Sequence, residues 1–500
     1  MRVKDSGPHH SLRGCARVIK AVTLHRGRDH VRPRHGCRVS GGTVLKPAEE
    51  VLQDLIRESN FSVHSDSELV GDVAKAAEKE DEERAKKQAE KSDKDKDNTL
   101  RRKPGLRPLP ELQSIAITPW EVLHVLGRAI GLARRGAARG LAEHWGALKY
   151  SQALTGDSGT FMHLSEEGKA TAEYYKAIQS RELGTGFALA TARRFLKDRY
   201  PDRFVSIVPA DTVLQAGWSK LGTYKPQYFA ELWKPGKHSL VFPISCKGNH
   251  GDIKQSQSQL ASASAHVEMV HIGPWNETPV LIFSTEIPPE GYVTVHALCA
   301  QGGGGWLKRE HVKPGDLDKE LSDENYFPRL QVPSEVEESL PHSFGFHVTP
   351  ERYGWFGRVL ARTAAAGVTA FAGNSEATAQ YLTKRQGKQH FEGFAHAGSG
   401  SVQDVEHTLC GIEFAGTDHV FRLNGVRVEA FSGVAKDLFN LLVKGRLEQY
   451  RREIYDRRSS WPSPSANESW GGPVSIHPDG TVLAMRLLPD PSCPRCQPEG

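Results

Sequence analysis

The stretch SLVFPISCKG, residues 239–248, predicts a buried β-strand at the centre of the fold. Apolar and small residues fill most of it, and a run of this kind and length is typical of a strand covered on both faces. Pro243 cannot donate a hydrogen bond to a neighbouring strand, so we expect the strand to bend or bulge at that residue.

The sequence on either side predicts an α/β fold. Apolar residues recur at helical spacing over residues 181–196, and the helix ends before Pro201, where a proline ring disfavours further helix. The predicted elements that follow are strands at 204–208, 226–233 and 239–248, a helix at 255–270, and strands at 279–284 and 292–298. Gly184 and Gly186 interrupt the first helix and indicate close packing of helix on sheet, or a kink.

This order of elements resembles the core of the PD-(D/E)xK nuclease superfamily. The resemblance implies a restriction-endonuclease-like mixed sheet flanked by helices, in which acidic groups hold Mg²⁺ and a lysine polarises the attacking water. Glu182 matches the glutamate of the first helix, and Lys247 matches the lysine at the end of the third strand. Gln227 stands where the family has its aspartate, and Ser245 stands where the family has the glutamate of Glu-x-Lys.

The residue types at these positions make a weak magnesium site. Alternate residues of a strand share a face, so Ser245 and Lys247 point the same way. Mg²⁺ prefers carboxylates in an octahedral shell, and Glu182 is the only acid at a matched position. We therefore expect a nearby carboxylate to replace the missing ligands, with Asp252 as the chosen partner of Glu182. Asp211 and Glu231 are two further candidates for the same role.

The loop after the central strand predicts contacts to nucleic acid. His250 in the loop Gly248-Asn249-His250-Gly251 can donate to a phosphate or transfer a proton, and Asn249 lies beside it. Gln255 opens the next helix, where related nucleases sometimes place a supporting glutamine. A histidine alone is more often an ordinary surface residue, so this alternative stays open.

Bulk composition bounds the class of protein. The chain has 500 residues, of which 38% are hydrophobic, enough for two folded domains with tails. A net charge of +5 permits nucleic-acid binding without demanding it. Seven scattered cysteines and the lack of a long apolar run or secretory signal indicate a reduced, cytoplasmic protein without membrane contact. A homodimer or a protein partner is left open.

Changes in composition predict the domain boundaries. The predicted segments are a disordered basic tail at 1–45, a helical and charged linker at 46–110, a restriction-endonuclease-like domain at 111–310, a linker at 311–341, a C-terminal α+β domain at 342–489 and a tail at 490–500. In the nuclease-like domain, Ser165 caps a helix that runs toward Glu182, with Tyr174 and Tyr175 on its packing face.

The C-terminal domain is predicted to mix helices and hairpins. A helix starts at Thr349-Pro350 and runs through Ala365, and a short strand follows at 368–371. Asn-Gly between alternating runs predicts a hairpin at 421–429, and a second hairpin is predicted at 476–483. A long amphipathic helix is expected at 434–457.

The sequence therefore predicts a nuclease-like protein that acts on or binds DNA, and metal-dependent phosphodiester hydrolysis is the reaction the resemblance implies. Two alternatives stay open. The first is a catalytically inactive nuclease fold kept as a binding or scaffold module, which the missing acids favour. The second is a protein–protein interaction protein, with the charged linker and the C-terminal helix as docking surfaces.

Overall fold

The computed structural model describes residues 45–89, 100–110, 112–132, 142–156, 159–308, 314–332, 342–392, 405–463, 465–467 and 469–489. Residues 1–44 of the predicted basic tail and the whole predicted tail at 490–500 lie outside these ranges. The described residues from Lys46 onward form one compact unit. Leu423 and Met485 belong to the same apolar core as Phe187 and Phe283. The domain boundaries of the sequence analysis stay a prediction.

The described residues form twelve α-helices and two short 3-10 helices. In chain order the α-helices are α1 (Ala48–Ile56), α2 (Ser67–Ala89), α3 (Pro119–Ile130), α4 (Glu166–Lys169), α5 (Glu173–Arg199), α6 (Ala210–Gln215), α7 (Ile253–Glu268), α8 (Tyr353–Phe371), α9 (Ser375–Tyr381), α10 (Lys388–Phe391), α11 (Lys436–Val443) and α12 (Leu447–Asp456). Short 3-10 helices span Glu143–Tyr150 and Pro350–Arg352. None of the helices in the described ranges is long and apolar enough to cross a membrane.

The strands of the described residues are, in chain order, β1 (Ser59–His64), β2 (Arg107–Pro108), β3 (Ser114–Ile117), β4 (Leu154–Thr155), β5 (His163–Leu164), β6 (Phe204–Pro209), β7 (Tyr228–Trp233), β8 (Ser239–Asn249), β9 (Val270–Ile272), β10 (Val280–Glu286), β11 (Thr294–Ala300), β12 (Trp306–Leu307), β13 (Arg329–Gln331), β14 (His342–Phe344), β15 (Phe346–Val348), β16 (Val405–Leu409), β17 (Ile412–Leu423), β18 (Val426–Ala435), β19 (Ser465–Asn467), β20 (Gly472–Ile476) and β21 (Thr481–Leu487). Each helix and strand predicted around residues 239–248 is present at its expected place.

The main sheet has the order β3-β1-β11-β10-β8-β7-β6, with β12 added to β8 and β2 added to β11. It is mixed, because β8 runs parallel to β10 and antiparallel to β7. Apolar residues of α5 cover one face, and those of α7 cover the other. The predicted α/β fold with a mixed sheet and flanking helices is confirmed, whereas its restriction-endonuclease-like character stays a prediction.

The central strand passes its proline without the predicted bulge. Tyr228, Phe229 and Ala230 pair with Ile244, Pro243 and Phe242 in unbroken register. No extra residue is inserted, so the alternation of side chains is preserved along the whole strand. Residues at even positions of β8 therefore face α5, whereas Lys247 and Asn249 lie on the opposite face, where they contact α7.

Gly184 of the first helix marks a close contact with the sheet, as predicted, whereas Gly186 lies against Val122 of α3. A Cβ atom on Gly184 would lie 2.9 Å from the Cα of Gly248. A Cβ atom on Gly248 would overlap the carbonyl oxygen of Ser180. Helix α5 therefore rests directly on the backbone of β8, at a separation that only glycine permits.

A six-stranded sheet of order β16-β17-β18-β21-β20-β19 forms the C-terminal part. Both predicted hairpins are confirmed, as β17–β18 and β20–β21. The predicted strand at 368–371 is wrong, because α8 continues to Phe371 and buries Val368 and Phe371 on its packing face. The predicted helix at 434–457 is also wrong in extent, since β18 runs to Ala435 and the turn at Gly445 separates α11 from α12.

The predicted packing role of Tyr174 and Tyr175 is wrong. Ser165 caps only the short helix α4, where its hydroxyl accepts the N–H of Gly168. A separate helix, α5, begins at Glu173, and its first turn extends away from the core. The two tyrosines are 76% and 50% exposed and contact each other.

Two stacked histidines lie between helix α3 and the six-stranded sheet. The rings of His124 and His477 are parallel within 7°, with centroids 3.5 Å apart. His124 hydrogen-bonds the hydroxyls of Ser475 and Thr481 at 3.0 and 3.2 Å. Neither ring nitrogen of His477 has a hydrogen-bond partner among the described residues. Both imidazoles are therefore held neutral in the folded chain.

This pair predicts a loss of stability in acid. Burial lowers the pKa of both His124 and His477 well below 6.5; Arg128 and Arg193 lower both further, whereas Asp479 raises that of His124. Below pH 6.5 the unfolded chain binds protons that the folded chain rejects, so stability falls as the pH falls. The slope is about 1.4 kcal/mol per pH unit for each histidine.

Urea titrations between about pH 5 and 7.5 measure this effect, and His477→Leu should flatten the slope by about 1.4 kcal/mol per pH unit. His238→Leu is the control, because His238 is exposed and should leave the slope unchanged. Equal slopes for His477→Leu and the unaltered chain would contradict the assignment of a neutral His477.

Candidate functional site

A cleft of about 730 Å³ opens where β8 extends beyond the end of its neighbour β7. The pairing of β7 with β8 begins at Tyr228 and Ile244, so the last residues of β8 pair only with β10. Residues of the cleft wall that the sequence analysis singled out are Glu182, Gln227, Lys247, Asn249, His250 and Gln255. The unequal length of two adjacent strands thus creates the site.

Lys247 and Glu182 reach this cleft from opposite layers of the molecule. Lys247 lies on the α7 side of β8, opposite Ser284 of β10. Glu182 belongs to α5, whose apolar residues cover the other face of the sheet. They line the same cleft because β7 does not extend between them at this end of the sheet.

The ammonium group of Lys247 is half-buried and contacts a histidine. Its Nζ lies 3.5 Å from Nε2 of His266 on α7. The Nδ1 of His266 lies 2.9 Å from the carbonyl oxygen of Lys225, so the Nδ1–H donates and Nε2 is left as an acceptor. Burial lowers the pKa of Lys247, and the guanidinium of Arg181 lowers it further. Burial, aided by Lys247, lowers the pKa of His266 to about 4.

The sequence analysis missed His266. The residue lies seven positions after Gln259 on the same helix, which returns it to the same face two turns later. Gln259 donates to the carbonyl oxygen of Gly248, so this face of α7 follows the last residues of β8. Helical periodicity could therefore have placed His266 beside Lys247 once the strand and helix were known to pack together.

The carboxylate of Glu182 already forms a hydrogen bond and an ion pair within the protein. Tyr150 donates its hydroxyl to Oε2 of Glu182 at 2.8 Å. The ammonium of Lys149 lies 2.6 Å from the same oxygen. The second acid of the cleft wall, Glu173, forms an ion pair with Lys176 at 2.7 Å. The two carboxylates of the cleft therefore carry their own counter-ions.

The remaining predicted residues of the wall hold the loop and the strand in place. The side-chain oxygen of Gln227 accepts the backbone N–H of Cys246 at 3.0 Å. Asn249 is 2% exposed and bonds Ser256, Gln259 and Ser284 through its amide nitrogen. These two amides fix the path of β8 at the cleft.

One ring nitrogen of His250 forms a hydrogen bond, whereas the other has no partner among the described residues. Its Nδ1 lies 2.7 Å from the carbonyl oxygen of Ile287 and donates to it. Its Nε2 is buried and has no hydrogen-bond partner among the residues that the structure describes. Gln255 reaches the wall from the first turn of α7. Nε2 of His250 is thus the polar atom of this loop that a ligand could satisfy.

Two predicted site residues lie outside the cleft. Ser245 shares the face of Lys247, as alternation requires, but it sits two residues deeper, opposite Ile282 and under α7. It is 0% exposed, and its hydroxyl has no partner within the described ranges. Asp252 is exposed and caps α7 by accepting the N–H of Gln255, so it does not line the wall. Its predicted role as a metal ligand beside Glu182 is not supported by this position.

The donor set of the cleft does not fit magnesium. Mg²⁺ requires near-octahedral oxygen ligands and is usually held by free carboxylates. Asp211 pairs with Lys225, and Glu231 pairs with Arg451, so neither of these replacements reaches the wall. The described residues contain one group with metal-ligand spacing, formed by three residues of the six-stranded sheet: His407, Asp418 and Glu429.

The charges of the cleft favour an anion. Lys247 and Arg181 line it without an ion pair to any residue that the structure describes. The two carboxylates of the wall are neutralised by lysines. A concave surface with unpaired cations and paired acids attracts negative groups such as phosphates.

Comparison with protein-family models, with curated proteins and with solved structures found no match to this chain. The resemblance to the PD-(D/E)xK superfamily therefore stays a prediction. The geometry and the charges of the cleft are what bear on function.

Proposed function

We propose that this cleft binds the phosphate backbone of DNA, as the binding module of a nuclease-like fold that does not cleave through a metal. The observation that carries the proposal is a pair of cations, Lys247 and Arg181, that form no ion pair within the described part of the chain, in a cleft whose acids are already paired. Phosphate contacts from lysine and arginine supply most of the affinity of proteins for nucleic acid.

The volume of the cleft limits the size of the ligand that it can bind. Its volume of about 730 Å³ lies in the range of small-ligand pockets. A short run of backbone fits this space, and a whole duplex does not enter it. Guanidinium and ammonium groups suit phosphate oxygens.

Metal-dependent hydrolysis is the weaker alternative. In such a reaction Mg²⁺ is usually held by one or two carboxylates together with the phosphate of the substrate. The wall provides Glu182, which is bound by Tyr150 and Lys149. The side-chain oxygen of Gln227 accepts a backbone N–H of β8. The matched positions therefore lack the free carboxylates that a magnesium-dependent step needs.

The salt dependence of binding tests the proposal. Fluorescence anisotropy of labelled single- and double-stranded oligonucleotides is measured between about 50 and 200 mM KCl, where each phosphate contact contributes about 0.7–0.9 to the slope of log K against log salt. Lys247→Met and Arg181→Met should each lower the slope by about that amount. EDTA should leave affinity unchanged.

Lys237→Met is the matched control, because Lys237 is an exposed lysine in the turn before the opposite end of β8. It should bind as the unaltered chain does. Unchanged slopes in Lys247→Met and Arg181→Met would refute the cleft as the binding site. Mg²⁺-dependent cleavage of the oligonucleotides that disappears in Glu182→Gln would establish the hydrolase instead.

A further inference from the structure

The amine of Lys247 has surroundings that differ from those of an ordinary surface lysine. It forms no ion pair with the described residues, and its hydrogen-bond partner is a neutral imidazole, Nε2 of His266 at 3.5 Å. The guanidinium of Arg181 lines the same wall and repels a second positive charge. Half-burial, a neutral partner and a like charge all make this ammonium lose a proton more readily than that of an exposed lysine.

An uncharged lysine amine in a cleft is a nucleophile toward carbonyl carbon. Lysines that form Schiff bases are activated by desolvation or by a neighbouring cation, and Lys247 has both. The other nucleophile of the wall, Cys246, does not compete, because burial raises the pKa of its thiol. The amine is therefore the reactive group that this cleft presents.

We propose that the Lys247 amine forms an imine with the ring-opened aldehyde of a deoxyribose that has lost its base in DNA. This inference rests on the proposed function, because the DNA backbone is what brings the aldehyde to the cleft. Among the groups of DNA, a sugar without its base is the one that offers an aldehyde. The cleft of about 730 Å³ has room for such a sugar with its flanking phosphates.

The step balances without an added oxidant or metal. Nζ forms a bond to the aldehyde carbon, and the carbon–oxygen bond breaks. The oxygen leaves as water with two of the three protons of the lysine ammonium. The positive charge remains on the iminium nitrogen, beside the neutral Nε2 of His266, which continues to accept its remaining proton.

Borohydride trapping tests the inference. An oligonucleotide with one base-free site is incubated with the full chain, and borohydride reduces the imine to a stable amine. We expect a covalent protein–DNA adduct on a denaturing gel, with the added mass on Lys247. At saturating oligonucleotide, Lys247→Arg should lose more than about nine-tenths of the adduct, because the guanidinium stays charged and forms no imine.

Lys237→Arg is the matched control and should retain the adduct. An adduct of unchanged yield in Lys247→Arg would overturn the inference. DNA binding by the unaltered chain without any adduct would also overturn it and would leave the proposed function intact.

Labelling with a small aldehyde tests the reactivity of Lys247 independently of the proposed DNA binding. Propanal with cyanoborohydride should label Lys247 faster than Lys237, and the rate should reach half its maximum below pH 10.5, the ordinary lysine pKa. Selective labelling by propanal without binding of any oligonucleotide would refute the proposed function while leaving the reactive amine. Equal labelling of the two lysines would refute the reactive amine itself.

Discussion

Gly248→Ala should lower the free energy of unfolding by more than about 3 kcal/mol, the upper range for overpacking a core. The added methyl group would overlap the carbonyl oxygen of Ser180, which is helix backbone and cannot rotate away. Helix α5 would have to lift from β8 along the contact with Gly184. Urea denaturation followed by circular dichroism measures the loss.

Gly71→Ala provides the matched control in helix α2. A Cβ atom there meets nothing within 4 Å, so the substitution should be neutral or stabilise the helix by up to about 1 kcal/mol. A Gly248→Ala chain as stable as the Gly71→Ala chain would show that α5 and β8 do not touch at this position.

Glu231→Gln should cost about 3–5 kcal/mol, because it leaves the buried guanidinium of Arg451 without its charged partner. Both guanidinium nitrogens lie 3.0 Å from the carboxylate oxygens, and Ser239 donates to the same carboxylate at 2.7 Å. Glu231 is 2% exposed and Arg451 is 9% exposed. The arginine also stacks on the ring of Trp233, 3.9 Å from its centroid. This pair joins helix α12 to the main sheet.

A double-mutant cycle separates the pair from its surroundings. The chain with both Glu231→Leu and Arg451→Leu should be more stable than either single variant, since no charge is then buried alone. Urea denaturation of the four chains gives the coupling energy. Additive losses would show that the two groups do not interact, against the bidentate geometry.

The helices and strands around the cleft could be predicted from the sequence because their signals are local. Apolar runs indicated the strands, helical spacing indicated α5, and Gly184 marked the contact with β8. The expectation that Glu182 and Lys247 share one cleft came from the resemblance to the nuclease superfamily and not from a local pattern. Periodicity and capping depend on neighbours in the chain, so the predicted helices and strands themselves needed no distant partner.

The burial of individual side chains and the contacts between residues far apart in the sequence could not be predicted. Alternation indicated the face of Ser245 but not its burial under α7. Glu231 is a plausible metal ligand in the sequence alone, whereas its partner Arg451 lies 220 residues further along the chain. The engagement of Glu182 by Tyr150 depends on a 3-10 helix whose packing no local pattern encodes. Long-range pairing therefore decides which charged groups remain available in the cleft.

The late start of β7 has a consequence for how this protein can change. The opening exists because this strand begins opposite the middle of β8, and the segment before it, residues 219–227, is surface loop and turn over most of its length. A change of length within residues 219–223, ahead of the contacts that Lys225 and Gln227 make with His266 and β8, would move the start of β7 while the glycine contact between α5 and β8 stays as it is. Natural or laboratory variation in this stretch can therefore reshape the opening without altering the residues that hold α5 against the sheet.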